Sequence, residues 1–222
     1  MAFGYPVALE LAGRRAVVIG EQAVAAGKAD GLLLAGAEVT VLAEGPEAEL
    51  DKLEGEPSAR VLRRRWRPED LDGAAVCVAA AAGPEERAAI AAAARARGVL
   101  VNVMDDVACC DFAAPAVVRR GELVIAVSTG GRSPALARRL REELADRFGP
   151  EWAEAVEVLG EVRAATAPAL PDLAERARRW QAALDPEELA GLVREGRRQE
   201  AAARLRSRLL PEGRRPGEGT SA

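Results

Sequence analysis

The amino-acid sequence predicts an α/β fold with a parallel sheet in its first half and helices in its second half. Short apolar stretches alternate with stretches of helical periodicity from residue 14 to residue 103. That alternation is typical of a parallel sheet built by right-handed crossovers. From Ser133 onward, apolar residues recur at helical spacing and prolines punctuate the chain, as in a series of helices.

The first strand and the first helix are predicted from residues 14–35. The stretch RRAVVIG, residues 14–20, has the apolar run of a buried strand. Residues 22–35 have helical periodicity, and Gly36 is typical of the residue that ends a helix. The apolar positions of that helix are Val24, the aliphatic stem of Lys28, Leu32 and Ala35.

Four more strands and one more helix complete the predicted sheet domain. The helix, residues 84–98, begins with a proline, carries Glu85 and Glu86 in its first turn and ends with arginines and Gly98. The strands are EVTVLA (38–43), SARVLRR (58–64), AAVCVAAAA (74–82) and VLVNV (99–103). The near-continuous apolarity of EVTVLA suits a parallel strand that is covered on both faces. We therefore predict a Rossmann-like domain over residues 1–112.

The pattern changes in residues 111–131, which are predicted to be two strands joined by Arg120-Gly121-Glu122. This arrangement is closer to a hairpin than to a crossover unit. A helix then begins with Ser133 as its cap and a proline at its first position. Residues 149–210 are predicted to form a helical domain, and the polar, Gly- and Pro-rich residues 211–222 a disordered tail.

Composition and charge limit the classes of function. The chain has 222 residues, 31 of them basic and 35 acidic, and it has no histidine. The lack of histidine excludes Ser-His-Asp catalysis, Cys-His catalysis and imidazole metal sites. The three cysteines are too few for a four-thiolate zinc site, so we predict no metal site and interpret Cys109 and Cys110 as small packing residues. The net charge of −4 argues against nucleic-acid binding driven by bulk charge.

No signal peptide and no transmembrane helix are predicted. The N-terminal residues lack a basic region followed by an apolar run, and no charge-free apolar run approaches about 18 residues. We therefore expect a cytoplasmic protein with reduced thiols and no membrane partner.

The turn between the first strand and the first helix matches a dinucleotide-binding fingerprint in part. The glycine positions of that fingerprint fall on Gly20, Gln22 and Ala25, and two of the three fit. Gln22 adds a side chain where the pyrophosphate approaches closest, but the helix N-terminus still offers amides to an anion. Glu44, after the second strand, is placed to hydrogen-bond a ribose hydroxyl. An ordinary strand–helix turn and a solvated glutamate are the alternative interpretation.

Polar side chains follow the fifth strand in the stretch VNVMDD. Asn102, Asp105 and Asp106 lie at the carboxyl end of that strand, where open α/β sheets place their ligand crevice. A carboxylate at this position can act as a general base, and paired acids can raise the pKa of one of them. The alternative is that Asp105 or Asp106 only caps the following turn.

A glycine-rich turn precedes the helix that begins at Ser133. The stretch STGG, residues 128–131, is followed by Arg132, and Arg119 and Arg120 lie one short strand earlier. Free amides, arginines and a helix dipole suit a ligand with carboxylates or phosphates. A capped helix after a hairpin would explain the Ser-Pro pair but not the two glycines beside an arginine.

These stretches together resemble the precorrin-2 dehydrogenase / sirohydrochlorin ferrochelatase family of siroheme synthesis. The most specific is RGVLVNVMDDVACCDFAAPAVVRRGELVIAVSTGGRSPALARRLREEL, and YPVALELAGRRAVVIG and GLLLAGAEVTVLA agree with it. The resemblance covers about residues 5–147. It implies the NAD-dependent oxidation of precorrin-2 to sirohydrochlorin by an intertwined homodimer, with insertion of ferrous iron in some members.

The resemblance also implies site residues and a dimerisation segment at residues 113–148. The key aspartate of the family falls on Asp105, which is implied to be catalytic. The positions implied to bind NAD are Gly20, Gln22, Ala23, Val24, Glu44, Gly45 and Ala80. The positions implied to bind the tetrapyrrole are Asn102, Arg119, Arg120, Ser128, Gly130, Gly131 and Arg132.

The sequence departs from the family pattern on the side of the cofactor. The family usually has three consecutive glycines where this chain has Gly20-Glu21-Gln22, and Ala-Thr-Asp-Asp where it has Ala80-Ala81-Ala82-Gly83. The side that carries Asp105 is intact. Three functions are compatible with this asymmetry: an NAD-dependent dehydrogenase, which we favour, a ferrochelatase that has lost NAD, and a non-catalytic tetrapyrrole-binding protein.

Overall fold

The computed structural model describes residues 4–20, 22–44, 48–80 and 83–210, so the tail predicted at residues 211–222 lies outside the described residues. The chain forms two compact units. The sheet unit contains the residues up to Ala114 together with Thr129–Ser133, and the helical unit contains Pro115–Ser128 and the residues from Pro134 onward. The division into four domains stays a prediction.

The sheet unit is built on a five-stranded parallel sheet. The strands are β1 (Arg15–Ile19), β2 (Glu38–Ala43), β3 (Ala59–Arg63), β4 (Val76–Ala79) and β5 (Leu100–Val103). Their order across the sheet is β3-β2-β1-β4-β5, and every neighbouring pair is parallel. This topology confirms the predicted Rossmann-like α/β fold.

Helices cover both faces of the sheet. The helices of this unit are α1 (Gln22–Leu33), the short α2 (Ala48–Asp51) and α3 (Pro84–Arg95). α1 and α2 bury one face, where Val18 of β1 lies, and α3 buries the other face, where Val17 lies. Because successive residues of a strand point to opposite faces, burial on both sides explains the near-continuous apolarity of the strands.

The buried face of α1 differs from the predicted one. Val24 is 41% exposed, whereas Ala25, Ala26 and Ala29 are buried against the sheet. Small side chains at these positions allow the helix to approach the strands closely. Of the apolar positions read from the helical spacing, Leu32 and Ala35 pack against this core and Val24 does not, since alanines make that contact instead.

The carboxyl ends of β1, β4 and β5 lie side by side. Ile19 is in register with Ala79, and Ala79 is in register with Val103. The residues that follow these strands therefore start at one edge of the sheet. The strand order reverses between β1 and β4, which is where open α/β sheets form their ligand crevice.

The helical unit begins with an antiparallel hairpin, as predicted. β6 (Ala116–Arg120) pairs with β7 (Leu123–Val127) across a turn at Gly121 and Glu122. Gly121 has φ +55°, and a Cβ added there would lie 3.2 Å from the Cβ of Ala153. Both the turn and the packing against the following helices therefore favour glycine at this position.

Five α-helices follow the hairpin in the described part of the chain. They are α4 (Pro134–Arg147), α5 (Glu151–Thr166), α6 (Leu173–Ala183), α7 (Pro186–Arg194) and α8 (Arg198–Leu209). Val158, Leu192 and Leu205 lie in the core that α5, α7 and α8 share. No helix within the described ranges is both long enough and apolar enough to cross a membrane.

Asp70 connects the end of β3 to the loop that leads to β4. Its carboxylate accepts hydrogen bonds from Nη1 and Nη2 of Arg64, at 2.8 Å and 2.6 Å, and from the backbone N–H of Arg67 at 2.8 Å. The hydrogen bond from Arg64 lowers the pKa of Asp70 below its usual value of 3.8.

We expect Asp70→Asn to lower the free energy of unfolding at neutral pH by about 1 kcal/mol, because an amide does not pair with the guanidinium. The folded pKa lies below the unfolded one, so the wild type holds this stabilisation above pH 3.8 and loses it as the pH falls through the folded pKa. Urea unfolding of both proteins at pH 7 and at about pH 2 measures the effect. A difference between them that does not shrink in acid would contradict the assignment.

Candidate functional site

Gly20 forms the turn between β1 and α1. It has φ +144°, a conformation that glycine adopts readily, and its N–H donates to the Leu42 carbonyl at 3.0 Å. α1 starts at Gln22, so its first-turn amides, which have no acceptors within the helix, lie at the carboxyl edge of the sheet. Ala80 lies beside this turn, since its N–H donates to the Ile19 carbonyl at 2.7 Å.

The other predicted cofactor residues flank this turn as far as the structure describes them. Val24 is exposed in the first turn of α1. Glu44 is exposed after β2, and its Oε1 lies 3.9 Å from Nε of Arg65. The side chains of Gln22 and Ala23 and the whole of Gly45 lie outside the described part of the chain. The structure therefore places Gly20, Val24, Glu44 and Ala80 at the edge where the strand order reverses.

This turn fits the pyrophosphate of a dinucleotide. Gly20, at the first position of the fingerprint, makes the tight turn after β1, and the 12-residue helix α1 begins at Gln22. Gln22 belongs to α1, so its backbone is helical and needs no positive φ that only glycine would tolerate. The departure from the three-glycine pattern at Gln22 is thus compatible with the helical backbone at that residue.

Asp105 lies in a turn directly after β5. The N–H of Met104 donates to the Ala79 carbonyl at 3.0 Å, which fixes the start of the turn. Asp105 has φ +59°, and among the described residues no other non-glycine residue has a positive φ. Aspartate tolerates this left-handed conformation better than most residues, although it costs roughly 1–2 kcal/mol.

The two neighbouring aspartates have different structural roles. Oδ1 of Asp106 accepts a hydrogen bond from the N–H of Cys109 at 3.3 Å and so caps the short 3₁₀ helix Val107–Cys109. Asp105 is exposed, and no described residue gives its carboxylate a hydrogen bond or an ion pair. Capping therefore explains the position of Asp106, whereas the Asp105 carboxylate is available to a ligand. The catalytic role of Asp105 stays a prediction.

The segment Cys110–Phe112 runs along the free edge of β5. Asn102, a predicted substrate residue, donates from Nδ2 to the Phe112 carbonyl at 2.8 Å. The Cys110 sulfur lies 3.1 Å from both the N and the O of Val103. The interpretation of Cys110 as only a packing residue thus missed its hydrogen bonds. The stretch CCDF beside VNVMDD was the signal in the sequence, but it did not show which backbone groups the thiol reaches.

The glycine-rich turn closes on itself and approaches the Asp105 segment. Oγ1 of Thr129 accepts a hydrogen bond from the N–H of Ser133 at 3.1 Å, and Gly130 and Gly131 have φ values of +61° and +79°. A Cβ added at Gly131 would lie 3.8 Å from Cγ2 of Val107. The structure therefore brings this turn, with the exposed Arg132, close to the segment that carries the two aspartates.

The remaining predicted substrate residues belong to the helical unit. Arg120 donates from Nε to the Phe148 carbonyl at 2.8 Å and from Nη2 to the Ala145 carbonyl at 3.1 Å, so it satisfies the C-terminal end of α4. Arg119 is exposed on the other face of β6, and Ser128 is exposed after β7. Whether these three residues contact a ligand stays a prediction.

Two family models match consecutive parts of the chain. A model described as "Putative NAD(P)-binding" matches residues 7–116, which include the whole parallel sheet. A model described as "Sirohaem biosynthesis protein central" matches residues 120–147, which include β7 and α4. The sheet unit is thus a domain of the nicotinamide-cofactor-binding type.

Curated relatives of the chain are siroheme synthases. The one from Chromobacterium violaceum is 34% identical over 209 residues, which are 94% of this chain and 44% of the relative. The one from Pseudomonas paraeruginosa is 36% identical over 204 residues, which are 92% of this chain and 44% of the relative. The chain thus spans less than half of the length of these relatives.

A solved structure matches the chain over almost its whole length. It is described as "SirC, precorrin-2 dehydrogenase", and it has a TM-score of 0.66 and 26% sequence identity over 90% of this chain and 98% of that chain. The family models, the curated relatives and this structure agree with one another. The chain therefore belongs to the family of the siroheme synthases and the precorrin-2 dehydrogenases.

Proposed function

We propose that this protein is an NAD-dependent dehydrogenase that oxidises precorrin-2 to sirohydrochlorin in siroheme or cobalamin synthesis. The observation that carries the proposal is the position of Asp105, an exposed carboxylate in a left-handed turn at the sheet edge where β1 and β4 also end. That edge is where the dinucleotide turn at Gly20 lies. The proposed base and the proposed cofactor turn thus follow strands that end at the same edge of the sheet.

The oxidation removes one hydride and one proton from the tetrapyrrole. NAD, when bound, accepts the hydride with its electron pair. Asp105 accepts the proton. This role requires a carboxylate that is ionised, accessible and free of competing cations. Asp105 is exposed, and no described residue pairs with its carboxylate. The absence of histidine from the chain makes a carboxylate the natural base for this step.

The carboxylates of the substrate need cationic partners. Arg132 is exposed in the glycine-rich turn that approaches Val107, and no described residue pairs with its guanidinium. Arg119 is likewise exposed and unpaired among the described residues. An arginine without an internal partner can bind a carboxylate through two parallel hydrogen bonds, so these two are better candidates for substrate contact than Arg120, which already binds the end of α4.

The direct test is the formation of NADH from precorrin-2 and NAD⁺ by the purified protein without oxygen. We expect NADH and sirohydrochlorin to appear in equal amounts. Metal insertion into sirohydrochlorin without any NADH formation would contradict the proposal and indicate a ferrochelatase that has lost NAD binding. Binding of sirohydrochlorin without either reaction would replace it by a non-catalytic tetrapyrrole-binding protein.

The acid after β2 favours NAD over NADP. A carboxylate at the position of Glu44 can accept hydrogen bonds from the ribose hydroxyls and repels a 2′-phosphate. Nε of Arg65 lies 3.9 Å from Glu44, and its Nη2 lies 3.9 Å from Glu86, so loss of Glu44 would remove one of the two carboxylates that compete with a phosphate for this guanidinium. NAD is accordingly the cofactor that we propose.

Glu44→Ser is expected to change the ratio of the NADP and NAD dissociation constants by about tenfold in favour of NADP, which corresponds to about 1.4 kcal/mol. Calorimetric titration with each cofactor measures the ratio without the need for turnover. Glu49→Ser, which removes an exposed acid from α2 in the same unit, is the matched control and should leave the ratio unchanged. An unchanged ratio in Glu44→Ser would exclude Glu44 from the ribose site.

We also propose that the protein is a homodimer that forms through residues 113–148. Val117 and Val124 are 37% and 46% exposed on one face of the hairpin, and Leu140 of α4 is 37% exposed. Apolar side chains exposed together on one face of a hairpin mark an interaction surface, and a two-stranded hairpin has free edges that a second copy can pair with.

Val124→Glu is expected to convert the dimer into a monomer, because the new carboxylate would lose its hydration at the interface. Light scattering coupled to size-exclusion chromatography measures the mass. Leu173→Glu places the same charge on α6, where Leu173 is 71% exposed, and should leave the dimer intact. A Val124→Glu protein that stays dimeric would place the interface elsewhere.

A further inference from the structure

β5 is an edge strand of the sheet, and groups of Cys110 and Asp111 rather than another strand occupy its outer hydrogen-bonding groups. The N–H of Val101 donates to Oδ2 of Asp111 at 3.1 Å, and the N–H of Asp111 donates to the Val101 carbonyl at 2.7 Å. The N–H of Val103 donates to Sγ of Cys110 at 3.1 Å, and the Val103 carbonyl, 3.1 Å away, is one of two acceptors within reach of the single thiol proton. Cys110 and Asp111 thus replace the missing neighbour strand.

The thiol of Cys110 contacts the Asp105 turn on both sides. Val103 precedes this turn, and the carbonyl oxygen of Asp106, which ends it, lies 3.3 Å from Sγ of Cys110. One sulfur atom therefore holds the backbone before and after Met104 and Asp105. Burial raises the pKa of Cys110 above its usual value of 9.0, so the group is a neutral thiol that donates as well as accepts near pH 7.

A left-handed aspartate needs such support. Asp105 has φ +59°, and an L-residue in this region costs roughly 1–2 kcal/mol unless the surroundings hold it. The Asp105 carboxylate itself has no partner among the described residues, so its position depends on the backbone alone. The backbone contacts of the turn are the hydrogen bond from Met104 to Ala79, the 3.4 Å contact from the Asp106 N–H to the Val103 carbonyl, those of the Asp106 cap, and those of Cys110.

We infer that Cys110 is a positioning residue that fixes the Asp105 carboxylate for proton transfer by bonding the backbone on both sides of its turn. The inference rests on the proposed function in so far as Asp105 acts on the substrate. The neighbouring Cys109 provides the contrast, because no hydrogen bond joins its thiol to the backbone of β5 among the described residues.

The experiment compares Cys110→Ala, Cys110→Ser and the matched control Cys109→Ala. Cys110→Ala should lower kcat for NADH formation by about tenfold or more while KM for NAD⁺ changes by less than about twofold, because the reacting groups lose alignment and the cofactor site is untouched. Cys110→Ser keeps a donor and an acceptor and should recover part of kcat. Cys109→Ala should retain kcat within about twofold. Equal kcat values for the two alanine variants would overturn the inference.

A second measurement does not depend on activity. Backbone chemical shifts of Asp105 and hydrogen exchange of the Val103 amide report the conformation of the turn. Cys110→Ala should move the Asp105 shifts away from left-handed values and speed exchange at Val103, and Cys109→Ala should do neither. A wild type that forms no NADH would refute the proposed dehydrogenase, whereas unchanged shifts and exchange in Cys110→Ala would refute the role of Cys110.

Discussion

Asp105→Asn is expected to lower kcat for the oxidation of precorrin-2 by about 10²–10⁴-fold, the range that a positioned general base contributes. Asparagine tolerates a positive φ as aspartate does, so the turn and the thermal stability should be retained. KM for NAD⁺ should also be retained, because Gly20 and α1 follow β1, whereas Asp105 follows β5, which is not a neighbour of β1 in the sheet. Initial rates of NADH formation and thermal unfolding of the same samples measure both expectations.

Asp106→Asn is the matched control for this variant. Asp106 caps the 3₁₀ helix through its Oδ1, and asparagine is an equally good cap, so kcat should stay within about threefold of the wild type. If Asp105→Asn retained full turnover, or if Asp106→Asn lost more activity than Asp105→Asn, Asp105 would not be the base. Wild-type rates in both variants would indicate that neither aspartate accepts the proton and that the substrate or water accepts it instead.

Gly20→Ala is expected to weaken NAD⁺ binding by about tenfold to a hundredfold. A φ of +144° at this position is strained for any residue other than glycine, so alanine would distort the turn from which α1 presents its amides to the pyrophosphate. The substitution should also lower the unfolding temperature by several degrees, since strain of about 1–3 kcal/mol is added to β1. Calorimetric titration with NAD⁺ and thermal unfolding measure the two effects.

Gly31→Ala separates the two effects of Gly20→Ala. Gly31 lies within α1, and a Cβ added there would have no neighbour within 4 Å. Because glycine is unfavourable inside a helix, this variant should be more stable by about 0.5–1 kcal/mol and should bind NAD⁺ as the wild type does. Unchanged NAD⁺ affinity in Gly20→Ala would instead support an ordinary strand–helix turn that binds no cofactor.

The fold could be predicted from the sequence because the hydrophobic periodicity and the positions of Gly and Pro agree along most of the chain. The five strands and the hairpin at Gly121 lie where apolar runs and turn residues place them. The packed face of α1 was not accessible in the same way. Alanine occurs on every side of that helix, so only the sheet beneath it decides that Ala25, Ala26 and Ala29 are buried while Val24 is exposed.

The candidate site shows the same limit at the level of single side chains. The stretch VNVMDD placed two acids at the correct strand end, but sequence spacing does not distinguish the cap Asp106 from the unpaired Asp105, because the difference is one of backbone conformation. Arg120 looked equivalent to Arg119 until its contacts with the end of α4, residues 25 and 28 positions away, were visible. Long-range hydrogen bonds of this kind leave no local pattern.

The glycine-rich turn also determines how the chain can be divided. The polypeptide leaves the sheet unit after Ala114, returns for Thr129–Ser133 and leaves again at Pro134. A fragment that stopped at Ala114 would keep every strand of the parallel sheet and both aspartates but would lack the turn that approaches Val107. A single cut between Ala114 and Thr129 therefore separates this turn from the Asp105 segment that it approaches, even where each remaining part still folds.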